Sequence, residues 1–203
     1  YRITSDEELE YVYHLSAQVE VGIGFLNPYI TFESNIKGVY ALLEAVRLCD
    51  DLVKSVVVAS TDKAYGSYEK GMMPYKEDYP LNPMYPYDVS KACGDMIARS
   101  YASDVYNLPI VVTRFCNIYG PGQLNFSALY PDGIRSALGY SKFIPRGNGE
   151  QVRDFIYIDD VIDLYIKISK KLADEPASCS GEVFNAGTNN PVKVKSVLKE
   201  IYS

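Results

Sequence analysis

The sequence contains no tryptophan, a single histidine and four cysteines, and each shortage excludes a class of chemistry. The cysteines form no Cys-x-x-Cys pair, so the sequence indicates neither a zinc site nor a disulfide framework. His14 alone cannot supply a histidine-rich metal site, and it leaves any Ser-His or Cys-His nucleophile dependent on one ring. We therefore expect no bound metal, and we expect base chemistry to use other residues.

Long apolar runs and an excess of positive charge are also missing. No window approaches about 18 consecutive apolar residues, and the first residues do not have the pattern of a secretory leader. Twenty Lys plus Arg face 26 Asp plus Glu, which gives a net charge of −6 without a basic stripe. We expect a cytoplasmic protein that spans no membrane and binds no nucleic acid.

What the sequence does contain is an alternation of predicted strands and helices, which is typical of βαβ units and a parallel sheet. The run at 55–60 is β-branched without alternation, as in a strand covered on both faces. Asn27 before Pro28 predicts the start of a long amphipathic helix. Strands are predicted at 11–15, 55–60, 110–113, 151–158 and 182–185, and helices at 28–49, 88–106, 127–138, 159–171 and from 191 onwards.

A domain boundary is predicted near Gly120. The segment 117–122 is rich in turn residues and follows the third strand, and the regular alternation is lost beyond it. We therefore predict an α/β domain over residues 1–120 and a second, smaller domain over 121–203. The segment 65–86, rich in Gly, Pro, Tyr and Asn, is predicted to be a long functional loop.

The sequence Tyr87-x-x-x-Lys91 lies in the first turns of a predicted helix. Residues four apart share one helical face, so the phenol and the ammonium can meet the same ligand. A nearby positive charge lowers the pKa of a tyrosine, which is about 10 when free, and makes the tyrosine a better base. By itself this spacing also fits an exposed helical pair.

The order of the surrounding motifs is more specific than this pair. Both Ser60-Thr61-Asp62 and the segment 114–122 follow predicted parallel strands, and ligands of open α/β sheets bind at those ends. In these motifs the sequence resembles the extended short-chain dehydrogenase/reductase family, in particular its nucleotide-sugar epimerases and dehydratases. The matching segments are 14–17, Asn35, 60–62, 87–91, 114–122, 153–157 and 185–187.

The resemblance implies a Rossmann-like doubly wound parallel sheet, with NAD bound by residues 1–120 and substrate bound largely by residues 121–203. Tyr87 would be the base at the sugar O4 while hydride leaves C4 for NAD, and Thr61 would bond the same hydroxyl. Lys91 would hold the nicotinamide ribose and lower the pKa of Tyr87. The residues that would line the cofactor are Ser16, Ala17, Asn35 and Ser60, together with Tyr87 and Lys91.

Two further residues, Asn117 and Arg153, would contact the sugar nucleotide, with the arginine on its diphosphate. Each of these implied roles has an alternative. Asn35 could only bridge backbone groups, Asn117 could be a turn residue, and Arg153 could be a surface ion-pair partner.

Within the family, Thr61-Asp62-Lys63 distinguishes subclasses. An Asp beside the threonine is typical of 4,6-dehydratases, in which it protonates the departing C6 hydroxyl; the alternative is a turn aspartate that caps backbone amides. In dTDP-glucose dehydratases the next residue is a glutamate that removes the C5 proton, and the Asp-Lys pair resembles CDP-glucose 4,6-dehydratases instead. Lys63 would have to be neutral to act at C5, and an exposed lysine held away from the substrate is the alternative.

Two departures from the family pattern concern the extent of the chain. The Gly-x-x-Gly-x-x-Gly loop that binds the cofactor pyrophosphate would precede the strand at Tyr11, and it is not in the sequence. Val21-Gly22-Ile23-Gly24 stands where relatives often carry Arg and Ser near the substrate. We therefore expect an internal portion of a longer enzyme, in which the first βαβ units are absent from this chain.

Three functional hypotheses follow. The first is an NAD-dependent 4,6-dehydratase that converts a nucleotide-activated hexose, such as CDP-glucose, into its 4-keto-6-deoxy form. The second is a nucleotide-sugar 4-epimerase of the same fold, and the third is a non-catalytic NAD-binding scaffold. A homodimer through helices 28–49 and 88–106 is also expected, although these faces could instead pack on the chain's own sheet.

Overall fold

The structure, a computed structural model, describes residues 9–49, 52–145 and 147–203. The helices are α1 (Val21–Leu26), α2 (Pro28–Arg47), α3 (Pro86–Ala102), α4 (Leu129–Ala137), α5 (Ile158–Asp174) and α6 (Val194–Ile201). The strands are β1 (Tyr11–His14), β2 (Ser55–Thr61), β3 (Ile110–Phe115), β4 (Asn117–Tyr119), β5 (Val152–Arg153), β6 (Phe155–Tyr157), β7 (Val183–Ala186) and β8 (Val192–Lys193). Short 3₁₀ helices cover Asp62–Tyr65, Lys70–Met72 and Pro176–Ser178.

The main sheet has the order β1-β2-β3-β7, and β2 runs parallel to both β1 and β3. In the register, Val58 lies beside His14 on one side and beside Val112 on the other. The carboxyl ends of the three strands therefore meet at one edge of the sheet. This is the α/β architecture, Rossmann-like in its parallel order, that the sequence predicts.

Both faces of the sheet are covered, which is why β2 and β3 show no alternation in sequence. Val56, Val58, Ile110 and Val112 pack with Val39, Leu43, Val46 and Ala98 of α2 and α3. On the other face, the Tyr165 ring of α5 packs against Phe115, and its hydroxyl lies 3.4 Å from Thr113 Oγ1. Successive strand residues point to opposite faces, so each helical layer meets every second residue.

The predicted start of α2 is confirmed. Asn27 is the N-cap, where its side chain accepts a hydrogen bond from the backbone N–H of Ile30 at 3.2 Å, and Pro28 is the first helical residue. The helix ends at Arg47, two residues before the predicted end. In α3 the helix likewise begins at a proline, Pro86, two residues before the predicted start.

The chain forms two compact units. The first contains the described residues of Tyr1–Phe115 and Asp163–Asn185, and the second contains the described residues of Cys116–Ile162 and Ala186–Ser203. The sequence instead places one boundary near Gly120 and assigns everything after it to a second domain. The difference arises because most of α5 packs on the main sheet and β7 is its last strand, so the chain returns to the first unit.

In the second unit, β4 pairs in parallel with β6 and β5 pairs antiparallel with β8. The single strand predicted over 151–158 is therefore wrong, because pairing changes partner at Asp154. The helix start predicted at Asn190-Pro191 is also wrong. Val192, in β8, pairs with Arg153 of β5. The helix α6 therefore begins only at Val194, with Lys193 as its N-cap.

The six-residue helix α1 has no counterpart in the sequence predictions, because two of its residues are glycines, which are poor helix formers. Within the residues that the structure describes, no helix is both long and apolar enough to cross a membrane.

Candidate active site

The turn after β2 carries three of the predicted catalytic residues. Thr61 ends the strand and caps the 3₁₀ helix that follows, where its Oγ1 accepts a hydrogen bond from the backbone N–H of Lys63 at 3.4 Å. The same hydroxyl donates to Oδ1 of Asp62 at 3.2 Å. Thr61 is buried, whereas Lys63 is exposed. The turn thus presents an alcohol, a carboxyl group and an amine side by side.

Tyr87, in the first turn of α3, meets this group. Its phenol is hydrogen-bonded to Thr61, and Nζ of Lys63 lies 5.6 Å from the centre of its ring. The structure therefore brings together four of the five predicted catalytic residues through direct contacts. Lys63 itself is exposed.

The pKa of Tyr87 shifts opposite to the direction that the Tyr-x-x-x-Lys spacing predicts. Burial, as the largest effect, and the negative charges of Asp88 and Asp62 together raise it to about 12, while the hydrogen bond with Thr61 acts in the lowering direction. Desolvation of the phenolate thus outweighs any lowering by Lys91. In the structure, Tyr87 is a neutral hydrogen-bonding group at neutral pH.

Lys91 lies one turn further along α3 and donates a hydrogen bond to the backbone carbonyl of Ala59 in β2. Burial lowers the pKa of Lys91 to about 8, against the raising effect of Asp95. The positive charge of Lys91 in turn contributes to a lowered pKa of His14, after the larger effect of burial. Lys91 and His14 therefore share the buried edge formed by the carboxyl ends of β1 and β2.

Asp88 is a charged residue of this site that the sequence predictions do not include. Its Oδ1 is buried without a hydrogen-bond partner among the described residues. Burial raises the pKa of its carboxyl group, the charge of Lys63 lowers it, and Asp62 raises it. In the sequence, the feature that points to Asp88 is its position between Tyr87 and Lys91, inside the motif itself.

Asn35, predicted to line the cofactor, has its side chain engaged within the protein. Its Oδ1 accepts from the backbone N–H of Gln18 at 2.7 Å, and its Nδ2 donates to Gln18 O at 3.0 Å and to Ser90 Oγ at 2.8 Å. Ser90 donates to the carbonyl of Tyr87 at 2.7 Å. These contacts match the alternative that Asn35 bridges backbone groups, and they tie the segment after β1 to the start of α3.

The other predicted cofactor contacts lie at the ends of β1 and β2. Ser16 is exposed and Ala17 is half-buried in the segment after β1. Ser60 is buried, and its Oγ has no hydrogen-bond partner among the described residues, as is also the case for Nε2 of His14. Two polar atoms at the carboxyl edge of the sheet are therefore available to a ligand.

Asn117 and Arg153, the predicted substrate contacts, both belong to the second unit. The side chain and the backbone N–H of Asn117 both donate to the carbonyl of Asp154, at 3.0 and 3.2 Å. Arg153 is exposed and donates to the carbonyl of Val152 at 2.8 Å. Asp154 also receives the backbone N–H of Asn189 at 2.9 Å, so it fixes the loop that follows β7.

Gly187, in the same loop, is required by close packing. A Cβ at this position would lie 2.5 Å from Oδ2 of Asp154 and 3.3 Å from Sγ of Cys116. Within the described ranges, no group of three or more His, Cys, Asp or Glu residues is arranged to hold a metal ion.

The sequence over residues 1–187 matches the model of the NAD dependent epimerase/dehydratase family. The chain belongs to this family. Among curated relatives, the human dTDP-D-glucose 4,6-dehydratase is 32% identical over 196 residues, which cover 96% of this chain and 52% of the relative. The chain therefore spans about half the length of the curated relatives it matches.

Solved structures of family members show the same fold. The dTDP-glucose 4,6-dehydratase of Bacillus anthracis in complex with NAD is 32% identical, with a TM-score of 0.83 over 98% of this chain and 58% of that one. The UDP-glucose 4-epimerase of Thermotoga maritima with UDP-glucose is also 32% identical, with a TM-score of 0.86 over 98% of this chain and 62% of that one. Dehydratases and epimerases are thus both similar to the chain.

Proposed function

We propose that the protein is an NAD-dependent nucleotide-sugar 4,6-dehydratase. The observation that carries this proposal is the carboxyl group of Asp62 beside the Thr61–Tyr87 pair. Besides the hydride acceptor, oxidation at C4 needs only a base for the O4 proton and a hydroxyl group that holds the same oxygen. Loss of water across C5 and C6 also needs an acid for the departing hydroxyl, and a carboxyl group at this place can supply that proton.

In the proposed reaction, Tyr87 takes the proton of the sugar O4 hydroxyl while Thr61 holds the same oxygen. A phenol with a pKa of about 12 keeps its proton at neutral pH, so its ionisation requires positive charge nearby, which the ammonium of Lys91 can carry. Asp62 protonates the C6 hydroxyl as it leaves. Bound NAD would supply the acceptor for the hydride of C4 and the source of the hydride that C6 receives.

The residues of the first unit fit the cofactor. His14 Nε2 and Ser60 Oγ are buried without hydrogen-bond partners among the described residues, at the carboxyl ends of adjacent parallel strands. A dinucleotide in an open α/β fold binds at that edge. Lys91, which reaches the carbonyl of Ala59 there, would hold the nicotinamide ribose, and Asn35 would support the segment that holds Ser16 and Ala17.

The nucleotide and sugar are proposed from motif and relatives together. The Asp62-Lys63 pair resembles that of CDP-glucose dehydratases, whereas the curated relatives include dehydratases of dTDP-glucose and of UDP-glucose. On the motif alone, CDP-glucose is the first substrate to test, with Asn117 and Arg153 as the proposed contacts to the sugar nucleotide. Lys63 is exposed, so its part in removing the C5 proton rests on the motif alone.

The experiment is incubation of the full-length protein with NAD and CDP-, dTDP- or UDP-glucose, followed by mass spectrometry and NMR of the sugar. A product that has lost one water and carries a C4 carbonyl supports the dehydratase. A sugar of unchanged mass with inverted C4 refutes it. Wild-type dehydration by a Lys63→Ala variant would show that Lys63 takes no part in the mechanism.

A 4-epimerase is the second candidate, because the Thermotoga epimerase matches this chain as well as the Bacillus dehydratase does. Thr61, Tyr87 and Lys91 would serve both reactions. Asp62 has a proposed role in dehydration but none in epimerisation, so an epimerase should retain activity in Asp62→Asn and a dehydratase should not.

We also infer a homodimer. Apolar side chains remain exposed on α2 at Tyr29, Ile30 and Tyr40 and on α3 at Met96. A second copy of this chain would cover them with its own two helices. Sedimentation of the full-length protein tests this: Tyr40→Asp should dissociate the dimer, and a monomeric wild type would exclude it.

A further inference from the structure

A buried ionic network lies behind the catalytic residues, and the reaction scheme does not use it. Arg114, at the end of β3, is 1% exposed. Its Nε and Nη2 donate to the two carboxylate oxygens of Asp95 on α3, at 2.8 and 2.9 Å. Its Nη1 donates to the hydroxyl of Tyr65 at 2.7 Å and to the carbonyl of Glu77 at 3.1 Å.

The two main partners of Arg114 belong to the two elements that carry the catalytic residues. Tyr65 is the last residue of the 3₁₀ helix that begins at Asp62, directly after Thr61. Asp95 lies eight residues after Tyr87 and four after Lys91, so all three share one face of α3. One guanidinium thus connects the turn to the helix.

We propose that Arg114 is a positioning residue, which holds the turn after β2 in register with α3 through Tyr65 and Asp95. The inference rests on the proposed function, because it assigns this network to that reaction. A planar guanidinium is suited to this role, because it makes a two-pronged contact to the carboxylate and keeps a further nitrogen for the phenol.

Tyr65 has the properties of a rigid link. Its side chain is fully buried, its ring stacks on Tyr75 with centroids 4.7 Å apart, and its hydroxyl donates to Asn185 Oδ1 at 2.7 Å while it accepts from Arg114. Burial raises the pKa of Tyr65, so the hydroxyl keeps the proton that it donates. Removal of this oxygen would free the end of the turn without removing the ring.

The contact that this network adjusts is the hydrogen bond between Thr61 and Tyr87. That bond lowers the pKa of Tyr87, whereas the negative charges of Asp62 and Asp88 raise it. Nζ of the exposed Lys63 lies over the Tyr87 ring. If the turn shifts, the bond weakens and the pKa of Tyr87 rises. A misplacement of about 1 Å at a reacting group can cost about a hundredfold in rate.

The test is Tyr65→Phe in the full-length enzyme, with Tyr68→Phe as the matched control. Tyr68 belongs to the same aromatic group, but its hydroxyl donates to the carbonyl of Pro80 instead of contacting Arg114. We expect Tyr65→Phe to lower kcat by about tenfold or more, with KM within about twofold and the acid limb of the kcat profile moved to higher pH. Tyr68→Phe should behave as wild type.

Hydrogen exchange of the backbone amides in residues 60–66 provides a readout that does not depend on turnover. Faster exchange there in Tyr65→Phe but not in Tyr68→Phe supports the inference. Unchanged exchange, kcat and pH profile in a Tyr65→Phe variant that only melts earlier would overturn it. Arg114→Lys keeps the charge beside Asp95 but lacks the second branch, so it should reproduce the Tyr65→Phe exchange pattern.

These outcomes separate the two proposals. A wild-type protein that converts no nucleotide sugar would refute the proposed function. Faster exchange in residues 60–66 of Tyr65→Phe would even then show that Arg114 holds the turn. A working dehydratase whose exchange does not respond to Tyr65→Phe sinks the inference alone.

Discussion

Replacement of Lys91 by methionine tests the buried charge at the centre of the site. Burial lowers the pKa of Lys91 from 10.5 to about 8. The unfolded chain therefore binds more protons than the folded one between these two values, and wild-type stability rises with pH across that window. One pKa unit corresponds to about 1.4 kcal/mol, so the wild type gains roughly 2 kcal/mol between about pH 7 and pH 10.

The methionine variant has no group to titrate at this position. Its free energy of unfolding relative to wild type should therefore be highest at about pH 7 and fall by roughly 2 kcal/mol by about pH 10. Urea denaturation of the full-length protein at both pH values measures this difference, with the exposed Lys70→Met as control. A difference for Lys91→Met that stays constant or rises with pH would refute the reasoning.

Three further substitutions test packing and chemistry. Gly187→Ala should destabilise the protein by about 1–3 kcal/mol in thermal unfolding, because its Cβ would lie 2.5 Å from Asp154 Oδ2. The control is Gly22→Ala, which should be neutral or stabilising because a Cβ there meets nothing within 4 Å. Asp62→Asn should lower dehydration by about a hundredfold or more while reduced nicotinamide still forms; wild-type dehydration would contradict its role as acid. Tyr87→Phe should slow both the reduction of nicotinamide and the dehydration by about 10²–10⁴, with the affinity for the sugar nucleotide within a few-fold of wild type. A loss of binding alone would argue against Tyr87 as the base.

The elements that the sequence predicts best are those whose signals are local. The continuous β-branched run of β2 indicates a strand buried on both faces, and the Asn27-Pro28 pair gives the start of α2 from capping alone. The meeting of Thr61 with Tyr87 is also predictable, because one ends a parallel strand and the other begins the helix after it.

What the sequence does not reveal depends on contacts between distant segments. The upward shift of the pKa of Tyr87 arises from burial, which no spacing reports. The break at Asp154 arises because β5 and β6 take different partners that are far apart in sequence. Arg114 ends an apolar run and so resembles a solvated strand end, although its three partners come from three separate segments.

Asp95 faces two cations at once, the permanent charge of Arg114 and the titratable one of Lys91. Buried ion pairs can often be exchanged for apolar residues of similar volume with a gain in stability. Here the exchange would also remove the carboxylate that opposes the lowering of the Lys91 pKa by burial, so a gain in heat resistance would come with a change in the charge of Lys91. Substitutions intended to stabilise this protein against heat should therefore keep Asp95 and be placed in the surface loops.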